Sequence, residues 1–390
     1  MTSTRRSEFL PFHRPSIGEG EIAEVVDTLR SGWLTMGPKT HRFEEQFAAY
    51  VGARHAVAVA SCTAALHLVY EAMGIGPGDE VITTPYTFTA TVATVLYAGA
   101  TPVLVDTLPD SPNIDPEAVA RRIGPRTRAI VPVHFAGHPC DLDRLTALAS
   151  QAGAALIEDA AHALPTTYKG RTVGSIGTAT CFSFYAGKNL TTGEGGAITT
   201  DDAELATALK IRRLHGISRD AWKRYTAEGS WYYEVEQLGF KYNMTDINAA
   251  LGLHQLARLD ELQRRRKRII ALYEECLADI PGILRPQAPT DGESAWHLYV
   301  VRIDSERLKV TRNEVIEMLK ADNIGTSVHF IPAHLHPLYQ QRLGCKREDF
   351  PNATRLYDAS ISLPLFPDMA DDDVRDVARS LERIARENLR

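Results

Sequence analysis

No two of the five cysteines in this 390-residue chain are spaced C-x-x-C. Cys62, Cys140, Cys181, Cys276 and Cys345 are odd in number and scattered, which argues against a disulfide framework and against a zinc knuckle. A reducing cytoplasm fits that pattern. Positive charge is not in excess either. A net charge of -6 and a pI near 6.1 give no global attraction to nucleic acid or to an anionic membrane, so any phosphate binding has to be local. The opening MTSTRRSEFLPFHRP carries an adjacent arginine pair, Arg5 and Arg6, with no apolar segment behind it, unlike a secretory or twin-arginine signal. Residues 81–105, VITTPYTFTATVATVLYAGATPVLV, run uncharged for a membrane-spanning length, but seven threonines and two prolines make them read as strand, helix, strand. Neither a fixed-period repeat nor a low-complexity segment occurs, which disfavours solenoids and flexible arrays.

What is present is an alternation of short β-rich apolar runs with helical patterns. AVAVA (56–60), EVITT (80–84), PVLVD (102–106), AIVPVHF (129–135) and AALIED (154–159) are separated by segments such as CTAALHLVYEAM and DLDRLTALASQAG. That order predicts a mainly parallel sheet with crossover helices, an α/β fold. From FSFYAG to GGAITTD the pattern becomes two short strands around a loop. Residues 246 to about 280 read as a long helix or two joined ones, opening at Thr245 or Asp246 and stopping near Pro281. A strand (296–303), a helix (312–322), a Pro-rich loop (329–339) and a closing helix (371–388) follow. With 44 % hydrophobic residues the chain is long enough for one large and one smaller domain. The expected division is 1–265 and 266–390, with a boundary near residue 265.

Three stretches carry chemistry. In AVAVASCTAALHL a strand runs directly into a helix, with Ser61, Cys62 and Thr63 at the junction. Unpaired amides and the dipole of a helix start form a phosphate cradle that needs no lysine, although Ser61 or Thr63 serving only as a helix cap is the plainer reading of that stretch alone. Cys62 has no basic neighbour in sequence and reads as an inert buried thiol. In AALIEDAAHALPT an apolar strand ends in Glu158 and Asp159, with His162 beyond; ligand sites of open α/β sheets form at such carboxyl ends. A carboxylate there can hold a protonated ring nitrogen. In CFSFYAGKNLTTGEGG, Phe182 and Phe184 alternate with Ser183 ahead of Lys188. Apolar surroundings lower an amine's pKa and free it as a nucleophile toward a carbonyl, and the glycines after it are expected to admit a bound group. Pyridoxal phosphate uses all three: phosphate on the helix start, pyridinium on Asp159, aldehyde on Lys188.

On these residues the chain closely resembles the DegT/StrS family of pyridoxal-phosphate-dependent nucleotide-sugar aminotransferases. The blocks that carry the resemblance, in order, are GWLTMGPKTHRFEEQFA, SCTAALHL, TPYTFTAT, IEDAAHA, SFYAGKNLTTGEGG, RRLHGISRD and GFKYNMTDINAALG. The resemblance implies a fold type I architecture, with a large α/β domain on a mainly parallel mixed sheet and a smaller C-terminal α+β domain. It also implies a homodimer with shared active sites. Carried over by position, Thr63 and Ala64 would contact the phosphate, Phe88 would cover one ring face, Asp159 would pair with the ring nitrogen and His162 would lie near the ring hydroxyl. Ser183 would add a phosphate contact, Lys188 would bond covalently to the aldehyde, and Asn243 would reach the phosphate of the other subunit. His329 would belong to the substrate pocket. Relatives that dehydrate the sugar carry histidine at the lysine position; this chain has Lys188.

The expected activity is amination of a keto group on a nucleotide-linked deoxy sugar, at carbon 4 of a UDP-linked sugar by similarity, with glutamate as donor and the pyridoxamine form of the cofactor between the two halves. A dTDP- or GDP-linked sugar or a keto-inositol is the enzymatic alternative, and a non-catalytic cofactor-binding regulator is the alternative from another class. His329, His334 and His336 invite a metal reading, but Pro332 and Pro337 break any helical face and no carboxylate stands at a familiar spacing, so none is expected. The run RRRKR (264–268) reads as a solvated helix face. Trp33 has a packing reading and a pocket-entrance reading.

Overall fold

Every apolar run read as a strand between residues 55 and 159 enters one sheet. The computed structural model of the protein describes residues 6–217 and 232–390. Its strands, in chain order, are β1 (His55–Val59), β2 (Glu80–Thr83), β3 (Thr101–Leu104), β4 (Thr127–Val131), β5 (Ala155–Asp159), β6 (Thr167–Tyr168), β7 (Arg171–Thr172), β8 (Ala179–Ser183) and β9 (Gly196–Thr200). Then come β10 (Ile283–Leu284), β11 (Gly292–Glu293), β12 (Tyr299–Ile303) and β13 (Ser360–Leu363). The main sheet has seven strands in the order β1-β9-β8-β5-β4-β2-β3, and β9 alone runs against the others. This is the α/β fold with a mainly parallel mixed sheet expected for fold type I. The uncharged stretch 81–105 is β2, a helix (Thr89–Tyr97) and β3, and among the described residues no helix is long and apolar enough to cross a membrane.

Alternation along each strand feeds two apolar layers. On β1, Ala56 and Ala58 face a cluster with Phe43, Phe47, Phe182 and Leu253, while Val57 and Val59 face one with Leu66, Val69 and Val81. Both faces are covered by helices, so the central strands are almost wholly buried. A third cluster surrounds the antiparallel sheet β10-β12-β13 and the helices Arg312–Ala321 and Asp371–Glu387. The helix Asp246–Cys276 joins the layers: Ala249, Leu253, Leu256 and Leu259 pack with the first cluster, Ile269, Ile270 and Tyr273 with the third. Its N-cap is Thr245, whose side chain accepts from the Asn248 amide.

Two details differ from the sequence reading. The run RRRKR is not uniformly solvated, because Arg266 is 2 % exposed and donates to the Leu365 carbonyl. The helical period turns that one arginine inward, while Arg265, Lys267 and Arg268 pair at the surface with Asp368, Glu293 and Asp371. Phe182 and Phe184 do not line a site: both are fully buried edge-to-face against Phe47, with Phe43 beside Phe184. The end of the block RRLHGISRD, residues 218–220, lies outside the described residues.

Candidate active site

At the carboxyl edge of the sheet a cavity of about 350 Å³ is walled by the ends of β1, β4, β5 and β8 and by the turns that leave them. It brings together Thr63, Phe88, Asp159, His162, Ser183, Lys188 and His329, residues that the sequence scatters over more than two hundred positions. Larger clefts of about 490 and 810 Å³ elsewhere contain none of them. Convergence of chemistry, not size, singles out the smaller one.

β1 ends at Val59, and the helix Cys62–Ala72 starts at the cavity with Ser61 as its cap, the serine oxygen accepting from the Ala64 amide at 3.0 Å. The cap commits the Ala64 amide, and Ala64 lies outside the cavity wall, whereas Cys62 and Thr63 of the same first turn line it. The start sits on β9 at Gly196, where a Cβ would come within 2.6 Å of the Ser61 carbonyl carbon and 2.7 Å of the Cys62 nitrogen. The glycines of TTGEGG therefore serve the protein's own packing: Gly195 is crowded by Thr192 and Met244, Gly193 takes a left-handed turn at φ +78, and none lines the cavity.

Asp159 terminates β5 and is 5 % exposed. Its Oδ1 accepts from the Ala161 amide at 3.1 Å and its Oδ2 from the Thr91 hydroxyl at 2.7 Å. Burial pushes the carboxyl pKa up, against the pull of the Thr91 and Ala161 bonds and of the Lys188 charge. Cys62 packs its sulfur 3.5 Å from the Cys181 carbonyl and 3.9 Å from Asp159 Oδ1; burial and that neighbouring charge raise its thiol pKa, so it is no thiolate nucleophile.

Lys188 follows a turn closed by its own amide on the Tyr185 carbonyl at 2.8 Å, and its Nζ makes no hydrogen bond or ion pair among the described residues. Burial lowers its pKa to about 8, against the raising effect of Cys62 and Asp159. The next residue anchors the loop: Asn189 donates to the Ala295 carbonyl at 2.8 Å and meets His297 Nδ1 at 3.1 Å. Ser183, at the end of β8, is half-buried in the wall.

His162 is buried, and its Nδ1 accepts from the Ala136 amide at 3.2 Å, so its proton sits on Nε2. Burial, then the charges of Lys188 and His329, hold it neutral. Its ring stacks on Phe330 at 5.5 Å, and Phe88, 57 % exposed at the mouth, stands 5.6 Å from Phe330. His329 bonds Ser362 through Nδ1 at 2.8 Å and stacks on Phe12 at 5.3 Å; burial lowers its pKa to about 4. His334 bonds Thr354 instead, and His336 precedes the helix Pro337–Leu343.

Three sequence-predicted residues do not line this cavity within one chain: Ala64, whose amide is taken by the Ser61 cap, Trp33 and Asn243. Trp33 packs over Gly37 and donates from Nε1 to the Met36 carbonyl at 3.3 Å. Asn243 bridges to Val59 and bonds Lys241 through its side chain. Conversely Thr87, Tyr185, Glu194 and Phe330 line the wall without having been singled out. Thr91 was missed too, because Thr87 lies ahead of the helix Thr89–Tyr97 and no periodicity in the sequence ties the two hydroxyls together.

Against known proteins, residues 15–382 match the model of the DegT/DnrJ/EryC1/StrS aminotransferase family. The chain is 55 % identical over 383 residues to the spore coat polysaccharide biosynthesis protein SpsC of Bacillus subtilis, covering 98 % of each. Among solved structures it is similar to a putative sugar aminotransferase, Spr1654, of Streptococcus pneumoniae in its PMP form (TM-score 0.91, 37 % identity, 97 % and 99 % of the two chains). That protein's PLP form matches equally well in TM-score. DesI, solved in the presence of its TDP-sugar product, matches with TM-score 0.87 at 36 % identity over 98 % of this chain and 94 % of its own.

Proposed function

The chain belongs to the DegT/DnrJ/EryC1/StrS aminotransferase family and is a pyridoxal-phosphate-dependent sugar aminotransferase; on that premise we propose that it transfers an amino group from glutamate to carbon 4 of a UDP-linked 4-keto-6-deoxy sugar. The observation that carries the chemistry is the meeting of a free amine, Lys188, with a buried carboxylate, Asp159, beside a helix start in one cavity. The donor set suits the cofactor: hydroxyls of Thr63 and Ser183 with first-turn amides for a phosphate, Asp159 for a ring nitrogen, His162 Nε2–H for a ring oxygen, Phe88 for a ring face. When bound, pyridoxal phosphate supplies an electrophilic aldehyde and a ring that stores the electron pair released as a proton leaves carbon.

The protein's own groups do the rest. Lys188, with a pKa near 8, keeps a share of neutral amine at pH 7 to 8, so it serves as nucleophile toward the aldehyde and then as the base and acid that moves the proton. Asp159 holds negative charge where positive charge on the ring nitrogen is needed. His162 offers an N–H and cannot compete as a base, because its other nitrogen is occupied. His329, fixed by Ser362, lines the same cavity, which supports assigning it to the substrate. Of the two readings of Trp33, its seat over Gly37 supports packing within its own chain.

The assembly proposed is a homodimer in which the partner subunit's Asn243 completes the phosphate site. Its support is that Asn243 does not line its own chain's cavity. The division at about residue 265 is supported by the hand-over of helix Asp246–Cys276 between apolar clusters. Five free cysteines favour a cytoplasmic setting.

The deciding experiment loads the purified protein with pyridoxal phosphate, adds glutamate, and follows formation of the pyridoxamine form and 2-oxoglutarate. Single turnovers with UDP-, dTDP- and GDP-linked 4-keto sugars and a keto-inositol then rank substrates. Fastest turnover of the UDP sugar supports the proposal; preference for the dTDP sugar would overturn the UDP assignment. Cofactor conversion by no amino donor would overturn the catalytic reading. Mixing Lys188→Ala and Asn243→Ala proteins and recovering activity would demonstrate sites shared across a dimer.

A further inference from the structure

Three threonines lie in the helix Thr89–Tyr97 that borders the cavity. Thr94 does what helical threonines ordinarily do and donates back to the carbonyl four residues earlier, that of Ala90, at 2.8 Å. Thr89 meets the Tyr339 hydroxyl at 2.5 Å. Thr91 does neither. It is fully buried, and its hydroxyl leaves the helix to reach Asp159 Oδ2 at 2.7 Å. A second hydroxyl, that of Thr87, stands 2.7 Å from Thr91 Oγ1 and is 2 % exposed in the cavity wall.

We propose that Thr91 is a positioning residue for Asp159, and that Thr87 and Thr91 form a two-hydroxyl relay fixing the plane of that carboxylate toward the cofactor ring. The proposal rests on the assignment of Asp159 to the ring nitrogen. An ionised carboxylate only accepts, so the single proton of Thr91 goes to Oδ2 and the proton between the threonines comes from Thr87. The relay then has one polarity, Thr87 to Thr91 to Asp159. On the other oxygen, the Ala161 amide donates to Oδ1. One bond comes from the chain after β5 and the other from the neighbouring helix, so the carboxylate cannot turn about its last torsion without losing one of them. Each oxygen keeps a lone pair for the cavity.

Without the Thr91 hydroxyl, Asp159 would keep only the Ala161 amide and the weak thiol of Cys62. Burial would then push it further toward the neutral form, which cannot hold a protonated nitrogen. Cys62, Tyr70, His134, Cys181 and Lys188 are the titratable groups that face Asp159 from the surrounding elements, and all remain in place in the test variants.

The test titrates apoprotein with pyridoxal phosphate and follows the visible absorbance of the loaded protein against pH, for wild type, Thr91→Val, Thr91→Ser, Thr87→Val and Asp159→Asn. Loss of a hydrogen bond to a charged group predicts a Kd for Thr91→Val raised about tenfold to about a hundredfold, with a shifted absorbance midpoint. Thr91→Ser restores both to within about threefold. Thr87→Val moves both the same way by less, and it carries the test if Thr91→Val does not fold by circular dichroism. Equal impairment of Thr91→Val and Thr91→Ser would reduce Thr91 to a packing role and overturn the proposal. A wild-type-like Thr91→Val beside an impaired Asp159→Asn overturns the relay alone, whereas silence of Asp159→Asn overturns the ring-nitrogen assignment beneath it.

Discussion

The Ala136 amide donates to His162 Nδ1 at 3.2 Å and so decides which nitrogen of that buried imidazole bears the proton. Ala136 does this from a left-handed conformation, φ +56, that turns its N–H toward the ring. His162 is therefore a fixed donor. We expect His162→Phe to weaken cofactor binding by about tenfold, the size of one lost hydrogen bond. His162→Gln, which can still donate, should recover most of it. With its pKa held well below 6.5, His162 should add no inflection to the pH profile of kcat/KM between pH 6 and 7, and an inflection removed by His162→Gln would disprove the tautomer assignment.

Lys188→Ala should lower turnover by about 10²- to 10⁴-fold and abolish covalent trapping of the cofactor by borohydride. In cofactor-free protein the amine should react with an aldehyde probe with a midpoint near pH 8 instead of near 10.5. A lysine whose pKa falls on folding penalises the folded state in full below about pH 8, and the penalty is relieved between about 8 and 10.5, where the unfolded chain still holds the proton. Over that window Lys188→Met should lose its stability advantage over wild type, as urea melts at pH 7 and pH 10 would register.

Glu44 and Arg213 form a buried pair behind the helix start, and Glu44 also accepts from the Ala58 amide at 2.8 Å. Burial raises the Glu44 pKa, but Arg213, His41 and the Ala58 amide outweigh it and hold the carboxyl at about 2. Glu44→Gln leaves a buried guanidinium unpaired and should cost about 3–5 kcal/mol at neutral pH. Because the folded pKa is depressed, the stabilisation is complete above the unfolded value near 4.5 and is lost as pH falls through about 2. Denaturant melts of the two proteins should differ equally at pH 7 and pH 5.5 and converge as acid is added below that window.

Gly196→Ala should damage stability and cofactor affinity together, since its Cβ would press on backbone atoms of Ser61 and Cys62 and on the Phe182 carbonyl, all within 2.7 Å. A cost of about 1–3 kcal/mol is expected from such overpacking. Calorimetry of the apoprotein alongside a phosphate-group titration would read both, and an unshifted melt would show that the helix start can move freely off β9.

Legibility in the sequence followed the range of the forces involved. Strand and helix alternation was readable because its periods, two and 3.6, are local, and so was the Thr245 cap before the long helix. Lys188 and Asp159 stood out because a carboxylate at a strand end, or a lysine between an aromatic run and a glycine-rich turn, is an unusual local context. The role of those aromatics was not readable. Alternation shows that Phe182 and Phe184 share a face, but only the helix Pro38–Val51, lying across that face with Phe43 and Phe47, made it the core side. Arg266 was likewise one letter in a basic run until the helix turned it inward.

By itself the sequence determined the α/β order, the family it resembles and the residues proposed for a phosphate, a ring nitrogen and an aldehyde. These depend on residue type and near-neighbour spacing. Tertiary structure alone decided which atom each group uses: that the cap occupies Ala64 and leaves Thr63 to the cavity, that His162 donates from Nε2, and that Thr91 abandons its own helix for Asp159. A hydrogen bond is fixed by distance and direction within a few tenths of an ångström, and between residues 68 positions apart that precision exists only once the chain has packed.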